Sequence, residues 1–170
     1  MDTKDVKIMD YSLFHGSGVI VKEPELRNSR FAKDFGYGFY CTNLYSQAEK
    51  WAKKHNKGTD IPTVNIYRYT PNSALKVKCF SDMSDEWLDF IAMCRSAGDK
   101  TPHDYDIVEG PMADDDIWTY VEDYVSGQLS REQFWVLAAF RHPTHQISFH
   151  TQEALKCISF ERMIRIDGHE

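Results

Sequence analysis

The residue types suited to chemistry stand at three places in this sequence. His15-Gly16-Ser17 follows Phe14, Tyr40 and Trp51 stand eleven positions apart, and Gln146 opens the run Gln146-Ile147-Ser148-Phe149. An imidazole can hydrogen-bond a ribose hydroxyl, and a glycine lets backbone groups approach a flat carboxamide where a side chain would intervene. Two facing rings can hold a third planar ring between them. Such a set suits the departure of a neutral planar leaving group from a ribose carbon. That step builds positive charge on the sugar, and an enzyme for it needs positioning and electrostatics more than covalent chemistry.

These residues need elements to hold them. Tyr11 to Ser17 reads as a short strand ending in a Gly turn, with His15 at its mouth. Asp34 to Thr42 combines glycines with aromatic and β-branched residues, a bend feeding a second strand that carries Tyr40. Ser46 to His55 reads as a helix with an N-cap, Ala48, Trp51 and Ala52 on one face, and a stop near Gly58. A strand, a tight turn and about one and a half helical turns can bring Tyr40 and Trp51 face to face. Pro62 to Tyr69 and Ala74 to Phe80 alternate as strands, with Val64, Ile66 and Arg68 opposed to Asn65, Tyr67 and Tyr69. Apolar spacing predicts helices over Asp82 to Arg95 and Asp114 to Val125, a strand from Tyr105 to Pro111 between them, a third helix opening at Ser130, and a late strand from His145 to His150. Short strands with segregated helices make an α+β domain.

Composition narrows the setting. At 170 residues the chain has the length of one domain and an aromatic-rich core, and its net charge of −6 with no block of like charges disfavours a nonspecific grip on nucleic acid. Cys41, Cys79, Cys94 and Cys157 are scattered, with no zinc-ligand spacing, which fits a reducing compartment. His142, His145 and His150 lack the register of a zinc helix, so no metal is expected. The polar opening residues and the absence of a long apolar run predict a cytoplasmic protein without a membrane partner.

Taken together, Phe14-His15-Gly16-Ser17, Gly36-Tyr37-Gly38-Phe39-Tyr40-Cys41-Thr42 with Trp51, and Gln146-Ile147-Ser148-Phe149 resemble the His, Tyr, Glu signature of ADP-ribosyltransferases of the diphtheria-toxin and poly(ADP-ribose) polymerase type. More closely, the chain resembles a group of small bacterial proteins of that superfamily catalogued as a domain of unknown function. In that group the segments Asp34 to Tyr40, Tyr105 to Pro111 with Ala113-Asp114-Asp115, and Gln146 to Thr151 recur, and the likeness runs from about Phe14 to about Phe160. The resemblance implies an ADP-ribosyltransferase-like fold in a single domain, residues 1–170, with two small sheets split around an NAD site and a helical insertion at about 81–140. It also implies NAD as substrate, with His15 on the adenosine-side ribose, Gly16 holding the nicotinamide amide beside Ser17, Tyr40 stacking on the nicotinamide, and Trp51 where the family has a second Tyr. The implied activity is mono-ADP-ribosyl transfer to a protein or nucleic-acid acceptor. A bacterial toxin with a cognate antitoxin, or a defence protein, is the implied setting.

One position departs from the signature, because Gln146 occupies the slot of the catalytic acid. A neutral amide can bond a ribose hydroxyl but cannot stabilise a cation as a carboxylate does. Glu109 is the candidate for the missing carboxylate, with Asp114 to Asp116 as second choices, and Arg30 is a candidate to hold the pyrophosphate through its planar fork. Each residue also has a plainer reading: His15 as a strand-end histidine, Tyr40 and Trp51 as core rings, Gln146 as a surface strand residue, Glu109 and the aspartates as helix-terminus anions, and Arg30 as a solvated loop charge. The alternatives in function are an NAD glycohydrolase, and an inactive module that binds NAD or ADP-ribose.

Overall fold

The computed structural model describes residues 12–27, 33–54, 58, 61–98, 100–140 and 142–166. Along them the pattern is α+β, with the strands gathered into two sheets. In the first, β1 (Ser12–Ser17) lies beside β3 (Thr63–Tyr69), whose other edge takes β7 (Ile158–Arg165), all antiparallel. The second has the order β2 (Phe39–Cys41), β6 (Gln146–Phe149), β5 (Ile107–Gly110), β4 (Val77–Cys79). Here β4 and β5 are parallel, and such a pair needs a long connection, which α2 (Asp85–Ser96) supplies. The two sheets touch where Phe14 and Thr42 exchange both backbone hydrogen bonds, at 2.8 and 2.9 Å. That bridge is isolated, so the ladder between β1 and β2 stops there.

Strand parity divides the packing. Phe39, Ile107, Ile147 and Phe149 project from one face of the four-stranded sheet and meet Leu13 and Tyr67 of the other sheet. Tyr40, Val108, Gln146 and Ser148 project from the opposite face. There Val108 packs with Trp87, Leu88 and Ile91 of α2, Val121 of α3 (Asp115–Val125) and Phe134 of α4 (Arg131–Leu137). Within β3 the expected alternation holds: Val64 and Ile66 lie with Ala48 of α1 (Tyr45–Lys54), while Tyr67 enters the core between the sheets.

Local signals explain most boundaries. Ser84 caps α2 by accepting the Trp87 N–H, and Ser130 with Gln133 forms a capping box on α4. Thr151 caps the short α5 (Gln152–Leu155) in the same way. The strand expected over Ala74 to Phe80 shrinks to Val77–Cys79, because Asn72 turns the chain, its side chain accepting the Ala74 N–H and its carbonyl the Leu75 N–H. Ser46 does not cap α1, which begins one residue earlier and whose Ala48 N–H reaches back to the Leu44 carbonyl. The segment at about 81–140 is no separable helical insertion, since β5 inside it lies between β6 and β4. The sequence pattern does not predict β7, because its Glu161-Arg162 pair interrupts the alternation and one side of this edge strand faces solvent. Among the described residues no helix is long and apolar enough to cross a membrane.

Candidate functional site

Backbone hydrogen-bonding groups of alternate strand residues point the same way. Phe14 bonds Thr42, so the N–H and C=O of Gly16 point to the same side, into the opening where β1 and β2 cease to pair. His15 stands at that opening. Its Nδ1–H donates to the Tyr40 carbonyl at 2.7 Å, and its ring stacks on Phe39 at 4.5 Å. A carbonyl can only accept, so the proton sits on Nδ1 and Nε2 keeps a lone pair. Burial, reinforced by the positive charges of Lys33 and Arg27, holds the imidazole below its usual pKa against the Tyr40 bond. A neutral ring with Nε2 as acceptor is the state that takes a hydrogen bond from a sugar hydroxyl.

The reason for Gly16 differs from the expected one. A Cβ there would fall 2.1 Å from the Ala48 carbonyl oxygen and 2.9 Å from the Ala52 nitrogen, so α1 lying on the strand, rather than a ligand, requires glycine. The consequence still serves the site, because this close packing brings the helix that carries Trp51 against β1. Ser17 makes a local contact, accepting the Val19 N–H at 3.3 Å.

Tyr40 is locked at its tip, where the hydroxyl donates to the Gly36 carbonyl at 2.5 Å and accepts the Phe35 N–H at 3.2 Å. Burial pushes the phenol pKa well up. Trp51 does not lie on the buried face of α1, which Ala48 and Ala52 occupy; it is 36% exposed. Its indole nevertheless borders the same space as the Tyr40 ring. The Lys33 ammonium lies 5.8 Å from the Tyr40 centroid and 5.4 Å from the Trp51 centroid, within cation–π range of both. Both ring centroids thus lie within 5.8 Å of one ammonium, and the space it occupies is the candidate slot, with His15 hydrogen-bonded to the backbone of Tyr40.

The segment from Lys33 to Gly38 forms the wall of this slot. His103 Nε2 bonds the Phe35 carbonyl at 2.8 Å, His150 Nδ1 bonds the Tyr37 carbonyl at 2.6 Å, and Gly36 takes a left-handed φ of +89°. Buried Asp34 accepts from Arg95 at 2.5 Å, from the Ala113 N–H at 2.8 Å and from Gln146 Nε2 at 2.9 Å. Gln146 also donates to the Pro111 carbonyl at 3.2 Å, which leaves its Oε1 as an acceptor on the Tyr40 face of the sheet. Sequence reasoning passes over Asp34, whose only signal is an acidic residue immediately before an aromatic-glycine run.

Glu109 requires a correction. It pairs with Ile147 and neighbours Cys79, so its side chain leaves the sheet from the face opposite Tyr40 and Gln146. There its Oε1 accepts from His145 Nε2 at 2.8 Å, the main reason its carboxyl lies below the usual range. His145 Nδ1 in turn accepts the Asn43 N–H at 3.0 Å, so both ring nitrogens are engaged. The pair lines an open cavity of about 410 Å³ with Cys79, Thr144 and Pro111. Of these two carboxylates it is Asp34, not Glu109, that stands on the Tyr40 face of the sheet and whose charge acts on the Tyr40 phenol.

The second choices behave as helix-terminus anions. Asp114 is the N-cap residue of α3, with burial raising its carboxyl, and Asp115 pairs with Lys50 of α1 at 2.9 Å. Asp116 sits exposed in the same first turn. Arg30 lies outside the described residues. His145 and His150 serve separate partners, and among the described residues no three side chains gather as a metal-ligand set.

No curated protein and no solved structure matches the chain. A family model described as a protein of unknown function (DUF3990) matches residues 11–160, a stretch that holds His15, Tyr40, Trp51 and Gln146, and the chain belongs to that family.

Proposed function

We propose that this protein is an ADP-ribosyltransferase-fold enzyme that binds NAD⁺, releases nicotinamide and transfers the ADP-ribosyl group to a macromolecular acceptor in the cytoplasm. The pyridinium enters between Tyr40 and Trp51. The Gly16 backbone meets the carboxamide, and His15 Nε2 accepts from a ribose hydroxyl. The bond between ribose C1′ and nicotinamide breaks with its electron pair going to the ring nitrogen, and an acceptor nucleophile then bonds C1′ and gives up its proton to water. Gln146 Oε1 accepts from the 2′-hydroxyl of the nicotinamide ribose, while Asp34 behind it fixes the direction of the amide.

The observation that carries this reading is the shared slot: one ammonium lies within reach of both ring faces, beside an imidazole whose acceptor nitrogen is set by the Tyr40 carbonyl. A toxin held in check by an antitoxin is the setting in which such an activity would be kept.

Incubation with labelled NAD⁺ and cell lysate tests the proposal. Nicotinamide release with labelled macromolecule is the expected result, and loss of both in Trp51→Ala ties the activity to the slot. Free ADP-ribose without labelled macromolecule would make water the acceptor, and absence of both products would overturn turnover. A second reading, an NAD-binding module without turnover, is favoured by the amide of Gln146 where a carboxylate would stabilise the developing cation. Tight NAD⁺ binding without nicotinamide release would select it.

A further inference from the structure

Resting on that reading of the slot, we propose that Lys33 is its plug: a cationic side chain of the protein itself stands where a pyridinium ring would bind, and any cationic ring must displace it. The position of the ammonium carries the argument, 5.8 Å from the Tyr40 centroid and 5.4 Å from the Trp51 centroid. Aromatic faces attract an ammonium and a pyridinium by the same quadrupole, so one surface accepts either. Two like charges cannot share it, because repulsion at a few ångströms away from bulk water exceeds what the ring faces return. Occupancy is therefore exclusive.

The neighbouring carboxylate attracts Lys33 by its charge, yet no hydrogen bond or ion pair among the described residues ties the two together. Asp34 is committed to Arg95, to the Ala113 N–H and to Gln146, all within 2.5 to 2.9 Å. Among the described residues the ammonium thus rests on ring faces, and these hold it weakly enough to be exchanged. The four-carbon stem can swing out by rotamer changes alone, with the backbone of the wall still fixed through the Phe35, Gly36 and Tyr37 carbonyls. Burial keeps the Lys33 pKa below its ordinary value, in keeping with an ammonium partly withdrawn from water. The charge thereby selects as well as blocks: a ligand must hold the rings better than Lys33 does, which penalises weak or small cations.

The test uses 1-methylnicotinamide, a pyridinium without phosphates, titrated against the full chain by quenching of tryptophan fluorescence. Lys33→Ala should bind it about tenfold more tightly than the natural sequence, the scale of one desolvated cation–π contact with its competitor removed. Lys33→Arg should keep the natural affinity, since a guanidinium covers the rings equally well. If Lys33→Ala is unfolded by circular dichroism, Lys33→Ser serves with the same expectation. Equal affinity in the natural sequence and the Lys33→Ala or Lys33→Ser variant would overturn the plug while leaving the slot intact. Absence of binding in every variant would instead remove the slot and the proposed function with it.

Discussion

The two faces of the four-stranded sheet handle a carboxylate in opposite ways. On the face of Tyr40 and Gln146, Asp34 is buried, shares an ion pair with an Arg95 whose side chain is 2% exposed, and spends its remaining lone pairs on an N–H of the backbone and an amide. On the other face Glu109, 38% exposed at its side chain, borders an open cavity and accepts from one imidazole and, at 3.8 Å, from the Cys79 thiol. The first carboxylate is a fixed part of a wall and the second is an adjustable surface group. Only the first lies beside the aromatic slot, and a one-residue difference in strand parity decides it: Val108 and Gly110 share a face with Tyr40, while Glu109 does not.

Breaking the buried arrangement should have the largest effect. Arg95→Ala leaves the Asp34 charge unpaired in the interior and removes a guanidinium stacked 3.7 Å over Trp118, so a loss of about 3–5 kcal/mol in urea unfolding is expected. A loss under about 1 kcal/mol would mean that the pair with Arg95 is not what holds the Asp34 charge in the interior.

Acid should come next. His150 holds the Tyr37 carbonyl, lies 4.7 Å from the His103 ring and has its pKa pushed down to about 4, chiefly by burial. The unfolded chain binds this proton near pH 6.5 and the folded one only near pH 4, so stability is full above pH 6.5 and falls as the pH drops between these values. The shift corresponds to about 3 kcal/mol. His103, also lowered by burial, adds in the same direction. Denaturation midpoints measured from pH 7.5 to 4 that stay flat would show that neither imidazole is held neutral.

Smaller effects separate the faces by function. Gly16→Ala forces α1 off β1 and should cost about 1–3 kcal/mol, with weaker quenching of Trp51 by a pyridinium as its companion signal. Gln146→Ala should lower nicotinamide release at least tenfold, roughly the effect of losing one positioned hydrogen bond in a reaction site, with a smaller change in KM. Glu109→Gln should alter that release by less than about twofold and stability by about 0.5 kcal/mol, the value of a half-exposed pair. A strong loss of turnover in Glu109→Gln alone would place the working carboxylate on the other face.

Much of this was legible without coordinates. The α+β class, the strands at His15, Tyr40 and Gln146, and the cap Ser130 follow from periodicity and capping chemistry, which act over a few neighbouring residues. β7 was not, because an edge strand with Glu161-Arg162 in its middle carries little alternation and is made a strand by its partner β3. A helix wheel places Trp51 on one face with Ala48 and Ala52 but cannot say how wide the contact is, and two alanines suffice to seat α1 on Gly16, leaving Trp51 36% exposed.

The sequence by itself determined which imidazole, aromatic, amide and charged side chains are available, and that local elements would present them. Only the tertiary structure decided which of them meet. Lys33 lies between two rings drawn from β2 and α1, and Asp34 binds partners 61, 79 and 112 positions away. The physical reason is that face and register depend on which strands pair, and pairing rewards contacts between segments whose separation along the chain carries no local signal.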